Sequence, residues 1–171
     1  MSTRDPMHDT AKDLTHLDEE GRARMVGVGD KAETARGAIA ISRVRLSTAA
    51  FERIRDASGS KGDAIQVARI AAIQGVKRTS DLIPLCHPLR ITRIDVAARL
   101  LPDGPAVEFE VRVEAFDRTG VEMEAMTGAS VAALTLYDMV KAVDRAAVIE
   151  HVRLVEKWGG RSGRFRPHDA P

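Results

Sequence analysis

One cysteine, Cys86, is all the thiol this 171-residue chain carries. That excludes an internal disulfide and fits a reducing compartment. Aromatic residues are also scarce, at 4%, so the strands lack the stacking aromatics that RNA-binding sheets use. No apolar run approaches the ~18 residues that a membrane span needs. The opening stretch, MSTRDPMHDTAKD, has no apolar signal-peptide core. Charge of one sign is missing too: 26 Lys and Arg stand against 25 Asp and Glu, for a net +1. A general polyanion binder is therefore disfavoured. Phosphate-loop spacing, GxxxxGK[ST], is absent. One Cys and five scattered His offer no close pair of the kind that zinc sites use. The expectation is a cytoplasmic protein with no membrane span, no nucleic-acid partner and no metal site.

What is present is a chain 44% hydrophobic, long enough for one domain that buries ~70% of its unfolded surface. Residues 1–13 are polar and mixed in charge, and read as a disordered arm. Residues 14–165 form the expected single domain, and 166–171 a flexible tail. Val107, Phe109, Val111 and Val113 alternate with Glu108, Glu110, Arg112 and Glu114, a half-buried strand. Ile94, Val96, Ala98 and Leu100 alternate in the same way, and LPDGP joins the two runs into a hairpin. Upstream, GAIAISRVRLS reads as a first strand, and Ser47 can cap a short helix in which Phe51 and Ile54 share a face. A second helix is expected from Asp63 to Lys77. A third, mostly buried, runs from Val121 to Asp144, with Thr119 and Glu122 at capping-box spacing. AVIEHVRLVEK closes the pattern as a last strand. The order β-α-α-β-β-α-β predicts an α+β, ferredoxin-like fold: an antiparallel sheet with helices on one face.

Three clusters could carry chemistry. In DLIPLCHPL, Cys86 and His87 are neighbours, and the proline after His87 favours extended backbone. Extended neighbours point to opposite sides, which suits a rigid wall displaying His87 better than a thiolate with its base. In TGVEMEAMTG, Glu122 has a capping role open to it, whereas Glu124 has none. In YDMVK, Asp138 and Lys141 meet at i, i+3 among Leu134, Leu136, Met139 and Val140. A buried pair there is costly without a purpose, and burial would lower the lysine's pKa toward neutrality. Fourteen residues separate Glu124 from Asp138, roughly 21 Å of helix. One small substrate cannot touch both within a single straight helix, so either the substrate is long or a second subunit completes the pocket, and the second is favoured. Basic spots at Lys61, Arg36 and the EKWGGRSGR stretch, with Lys157, Arg161 and Arg164, suit an anionic ligand only in combination.

KGD, KRTSDLIPLCHPL, TGVEMEAMTGASVAALTLYDMVKAV and GGRSG together resemble the molybdenum-cofactor biosynthesis protein C family, the cyclic pyranopterin monophosphate synthases. The resemblance runs from about Leu14 to Phe165. It implies a lyase that converts (8S)-3',8-cyclo-7,8-dihydroguanosine 5'-triphosphate, made by a radical-SAM GTP 3',8-cyclase, into cyclic pyranopterin monophosphate and diphosphate. It further implies a ferredoxin-like fold and a homohexamer, a trimer of dimers with sites between subunits. The expectation is no tightly bound cofactor, with Mg²⁺ as a counter-ion open to the triphosphate. By the same resemblance Asp138, Lys61 and Lys141 match the catalytic residues. Leu85, Cys86, His87, Met123 and Glu124 match substrate contacts, with Glu122 beside them. Arg36 matches a family arginine near the phosphates, and Lys157 matches a C-terminal lysine of the family. Two positions depart from the family pattern. Arg161 stands where a lysine is usual, which keeps charge but removes a proton donor near pH 7. Gly27 stands where an aspartate is expected. Two rivals remain at this point: a nucleic-acid-binding module of the same fold, which the scarce aromatics argue against, and an oligomeric small-ligand sensor without chemistry.

Overall fold

A computed structural model describes residues 16–18, 20–56, 63–161 and 163–167 of the chain. The expected N-terminal arm lies outside these residues, as do Lys61 and residues 168–171.

Alternation of apolar and charged side chains builds the sheet. In β3 (Ala106–Asp117), Val107, Phe109, Val111 and Val113 are fully buried, and the charged residues between them face the opposite side. Each such large apolar side chain contributes roughly 1.5–3 kcal/mol on burial. β2 (Ile91–Leu101) pairs with β3 in the expected antiparallel hairpin, and Gly104 takes the turn's left-handed position. β1 (Thr34–Arg45) pairs antiparallel with β3 on one side and with β4 (Val148–Trp158) on the other. The order β2-β3-β1-β4 is the ferredoxin-like arrangement predicted above. Its face away from the helices carries charges that pair with one another, among them Arg99 with Glu110 and Arg112 with Glu114, both at 2.6 Å.

The helices cover the other face. α1 (Thr48–Arg55) starts at Ser47, whose Oγ accepts from the Ala50 N–H as expected, and Phe51 is buried. Asp63 caps α2 (Ala64–Lys77) by accepting from the N–H groups of Ile65 and Gln66. A one-turn helix unforeseen in the sequence, α3 (Thr79–Leu82), follows; Thr79 is buried and its hydroxyl donates back to the Gly75 and Val76 carbonyls. The long helix α4 (Glu122–Val140) packs on β1, β3 and β4 and against α2. Ala125, Ala129, Ala132 and Ala133 are fully buried on it, and small side chains let it lie close to both layers.

Two expectations about α4 are corrected. It ends at Val140 rather than Asp144, because Lys141 to Val143 turn away under a buried Asp144. That carboxylate accepts from the Ser47 and Ala146 N–H groups, so it fastens the turn to the start of α1. At the other end Val121, not Thr119, is the N-cap, and no side chain caps the helix. No helix among the described residues is long and apolar enough to cross a membrane.

Candidate active site

Strand register decides which ends meet. Thr34 lies opposite Asp117, and Gly37 opposite Trp158, so the start of β1 and the ends of β3 and β4 share one edge of the sheet. The N-terminus of α4 opens at the same edge, a short turn after Asp117 leaves β3. A cleft with two adjoining lobes forms there. Lys31, Thr119, Gly120 and Glu122 line both lobes.

The larger lobe, about 710 Å³, is basic. It collects Arg36, Lys157 and Arg161, three residues the sequence nominated, together with Lys31, Arg118 and Trp158, which it did not. Arg36 is a staple as well as a charge: its Nε donates to the Asp117 carbonyl at 2.9 Å and its Nη2 to the Arg118 carbonyl at 3.1 Å. Glu122 reaches back to Lys157, Nζ to Oε1 2.8 Å. A Cβ at residue 120 would sit 1.9 Å from a Glu122 oxygen, so Gly120 keeps that path clear. The capping role read for Glu122 is thereby replaced by a non-local ion pair. Gly159 and Gly160, both at positive φ, fold the loop after β4 against β1. Beyond it Phe165 bridges back to Lys157.

The smaller lobe, about 360 Å³, is lined by Leu85, Cys86, His87, Met123 and Glu124, joined by the valines of the segment before β1. Cys86 and His87 therefore serve one lobe, although extended neighbours were expected to face apart. The chain turns here, Cys86 N–H donating to the Ile83 carbonyl, so strict alternation does not hold. Burial pushes the Cys86 thiol up, and the Glu124 charge adds to it. A protonated thiol fits pocket wall, not nucleophile. Among the described residues no group of three His, Cys, Asp or Glu side chains is placed to hold a metal.

Glu124 is the site's buried acid. It is 4% exposed, and burial, aided by the Glu122 charge, raises its pKa to about 7. The folded pKa thus exceeds the ordinary 4.5. The charged form is the one penalised, so stability falls as pH rises from that ordinary value toward neutrality. Glu124→Gln should therefore gain about 2 to 3 kcal/mol on wild type at pH 8 relative to pH 4.5. Urea unfolding at the two pH values checks this; an equal difference at both would disprove the assigned protonation.

The remaining nominated residues lie elsewhere. Asp138 and Lys141 pair as predicted, Nζ to Oδ1 2.6 Å at i, i+3, but at the far end of α4. The expected burial is not found: the two side chains are 58% and 52% exposed. The Asp138 hydrogen bond and charge raise the Lys141 pKa instead of lowering it. The apolar neighbours that suggested burial divide around the helix, Leu136 buried and Leu134 exposed. Lys61, the third catalytic candidate, lies outside the described residues. Among the described residues one chain thus brings the nominated substrate contacts together and leaves Asp138 and Lys141 apart from them. Trp158 could have been noticed as the only tryptophan, set before two glycines. Arg118 and Lys31 are single cations with no pattern of their own.

The model of the MoaC family matches residues 25–160. A protein of Thermomicrobium roseum (strain ATCC 27502 / DSM 5159 / P-2), named cyclic pyranopterin monophosphate synthase, is 52% identical over 157 residues, 92% of this chain and 95% of its own. Among solved structures, a mutant of the ferredoxin protease FusC in complex with Arabidopsis ferredoxin is similar at 14% identity and TM-score 0.32. That match covers 66% of this chain and 10% of the other, too slight to carry an argument.

Proposed function

The chain belongs to the MoaC family and is an enzyme of molybdenum-cofactor biosynthesis, and on that premise we propose that it converts cyclised dihydro-GTP into cyclic pyranopterin monophosphate and diphosphate. The observation that carries the reading is the two-lobed cleft. A polyphosphate fits the basic lobe of Arg36, Lys157 and Arg161, and a polar, purine-derived ring fits the lobe of His87, Met123 and Glu124.

The reaction needs ring opening by water, proton transfers at carbon and nitrogen, and attack of a sugar hydroxyl on the α-phosphorus. The last step forms one P–O bond, breaks another and releases diphosphate, whose charge the basic lobe offsets. Glu124, half protonated near neutrality, can accept from or donate to the ring's polar edge. Lys141, held by Asp138, enters as an ammonium and therefore as the acid; Lys61 is then the base. Lys141 must come from outside the cleft of a single chain, since even its partner Asp138 lies roughly 21 Å down the helix from Glu124. A neighbouring copy supplies Lys141 in this scheme, which is why a homohexamer with shared sites, a trimer of dimers, is part of the proposal. Mg²⁺ would enter as the triphosphate's counter-ion, and the radical-SAM cyclase would supply the substrate.

The test is product formation. Purified protein is given the cyclised dihydro-GTP, and cyclic pyranopterin monophosphate is followed by mass spectrometry with diphosphate counted alongside. Matched yields of the two are expected. Intact substrate in the presence of folded protein would return the cleft to the small-ligand sensor.

A further inference from the structure

We infer that Arg118 is a further anion-binding residue of the basic lobe, gripping the terminal phosphates while it holds the segment before β1 over the cleft. This rests on the polyphosphate reading above and extends it to a residue outside the family blocks quoted earlier.

The cations already nominated are partly committed. Arg36 gives two of its donors to backbone carbonyls, Lys157 is paired with Glu122, and Arg161 sits exposed at the outer rim. Five cations, Lys31, Arg36, Arg118, Lys157 and Arg161, line this lobe with two carboxylates, Asp30 and Glu122, and even with Glu33 beside Arg118 positive charge is in excess.

Arg118 is fixed where it counts. Its N–H donates to Asp117 Oδ1 at 2.8 Å, and its carbonyl accepts from Arg36 at 3.1 Å, so the backbone cannot drift. Its Nη1 donates to the Gly29 carbonyl at 2.8 Å. Its Nε stands 3.7 Å from Glu33, beyond hydrogen-bond reach. Nε and Nη2 therefore carry no hydrogen bond among the described residues. A guanidinium with one arm tied and two donors open is a fork suited to a phosphate edge. The tied arm matters as well. Gly29 belongs to the segment whose Val26, Val28 and Lys31 wall the smaller lobe, so one side chain connects phosphate binding to the wall of the ring lobe.

Trp158, the only tryptophan, lines the same lobe and reports its occupancy. Inorganic tripolyphosphate is titrated into the full-length protein, read by Trp158 emission and by calorimetry. Arg118→Ala should weaken binding by about tenfold or more, and Arg118→Lys by less, because a point charge replaces the fork. Arg118→Gln keeps an amide donor for Gly29 but loses the charge, and should match alanine; it decides the matter if the alanine variant fails to fold. Arg90→Ala is the control: Arg90 also pairs with Glu33 but lines a different groove, and its loss should leave affinity unchanged. In turnover, Arg118→Ala should raise KM while kcat stays within about threefold. If wild type binds tripolyphosphate and the alanine and glutamine variants bind it equally well, this inference is wrong and the phosphate lobe stands without it. If wild type binds none, the phosphate reading of the lobe falls and Arg118's role with it.

Discussion

Lys141→Ala should lose turnover by roughly a thousandfold, the scale of a missing general acid, while its melting temperature stays within about 2 °C of wild type. Both halves follow from one geometry. Lys141 is half exposed and its ion pair with Asp138 is solvated, so little folding energy rests on it. It occupies the C-cap of α4 in right-handed helical backbone, which alanine adopts without strain. The turn beyond is held by buried Asp144, not by Lys141. Under the proposed mechanism the duty of this exposed pair is chemical, at a site that another copy completes. Asp138→Asn separates the roles further. Removing the carboxylate removes what raises the Lys141 pKa, so the alkaline limb of the pH–rate profile should move to lower pH. Circular dichroism, size-exclusion chromatography and single-turnover kinetics together check the set. A Lys141→Ala protein that keeps full activity would end the acid assignment.

The second large effect is expected at Gly159. Its φ is +89°, and an added Cβ would sit 2.2 Å from the Ala35 carbonyl oxygen and 3.0 Å from Arg36 Cα. Both are backbone atoms of β1, a central strand paired on both sides, and cannot yield without breaking register. Gly159→Ala should cost about 2 to 4 kcal/mol, backbone strain plus overlap, or else the loop peels away. A displaced loop takes Arg161 from the basic lobe and breaks the Lys157–Phe165 bridge, so tripolyphosphate affinity should drop as well. Gly163→Ala is the matched comparison. It shares a positive φ, +64°, but nothing lies within 4 Å of its added carbon. It should cost only about 1 to 2 kcal/mol of strain. Chemical denaturation of the two variants compares them; equal losses would mean that close approach to β1 does not matter.

The hairpin was legible because a half-buried strand writes its environment at every second residue, as Val107 to Val113 do. Helix α2 announced itself through Asp63 and an apolar run. What failed was local inference where a distant partner won. Thr119 and Glu122 have capping-box spacing, but the Glu122 carboxylate is taken by Lys157, from the far end of β4, and no local pattern encodes that choice. The Asp138–Lys141 spacing was readable while its exposure was not, since composition along α4 does not tell where the helix outruns the layers around it. Arg118 and Lys31 enter the cleft only through register and turn geometry. Resemblance to a family named several residues of both lobes; among the described residues the fold unites the substrate contacts and sets Asp138 and Lys141 apart from them.

Gly37 and Trp158 also limit how this sequence can drift. A Cβ at residue 37 would lie 2.0 Å from the indole, inside the ring's own volume. The two positions are therefore epistatic, and the order of change matters. With alanine at 37, the indole at 158 would have to leave its present position. Once the indole is in place, stacked under Arg112 at 4.8 Å, position 37 is locked until 158 shrinks. The wall of this cleft thus keeps its present shape only while residue 37 lacks a side chain, so two positions on paired strands must change together or not at all.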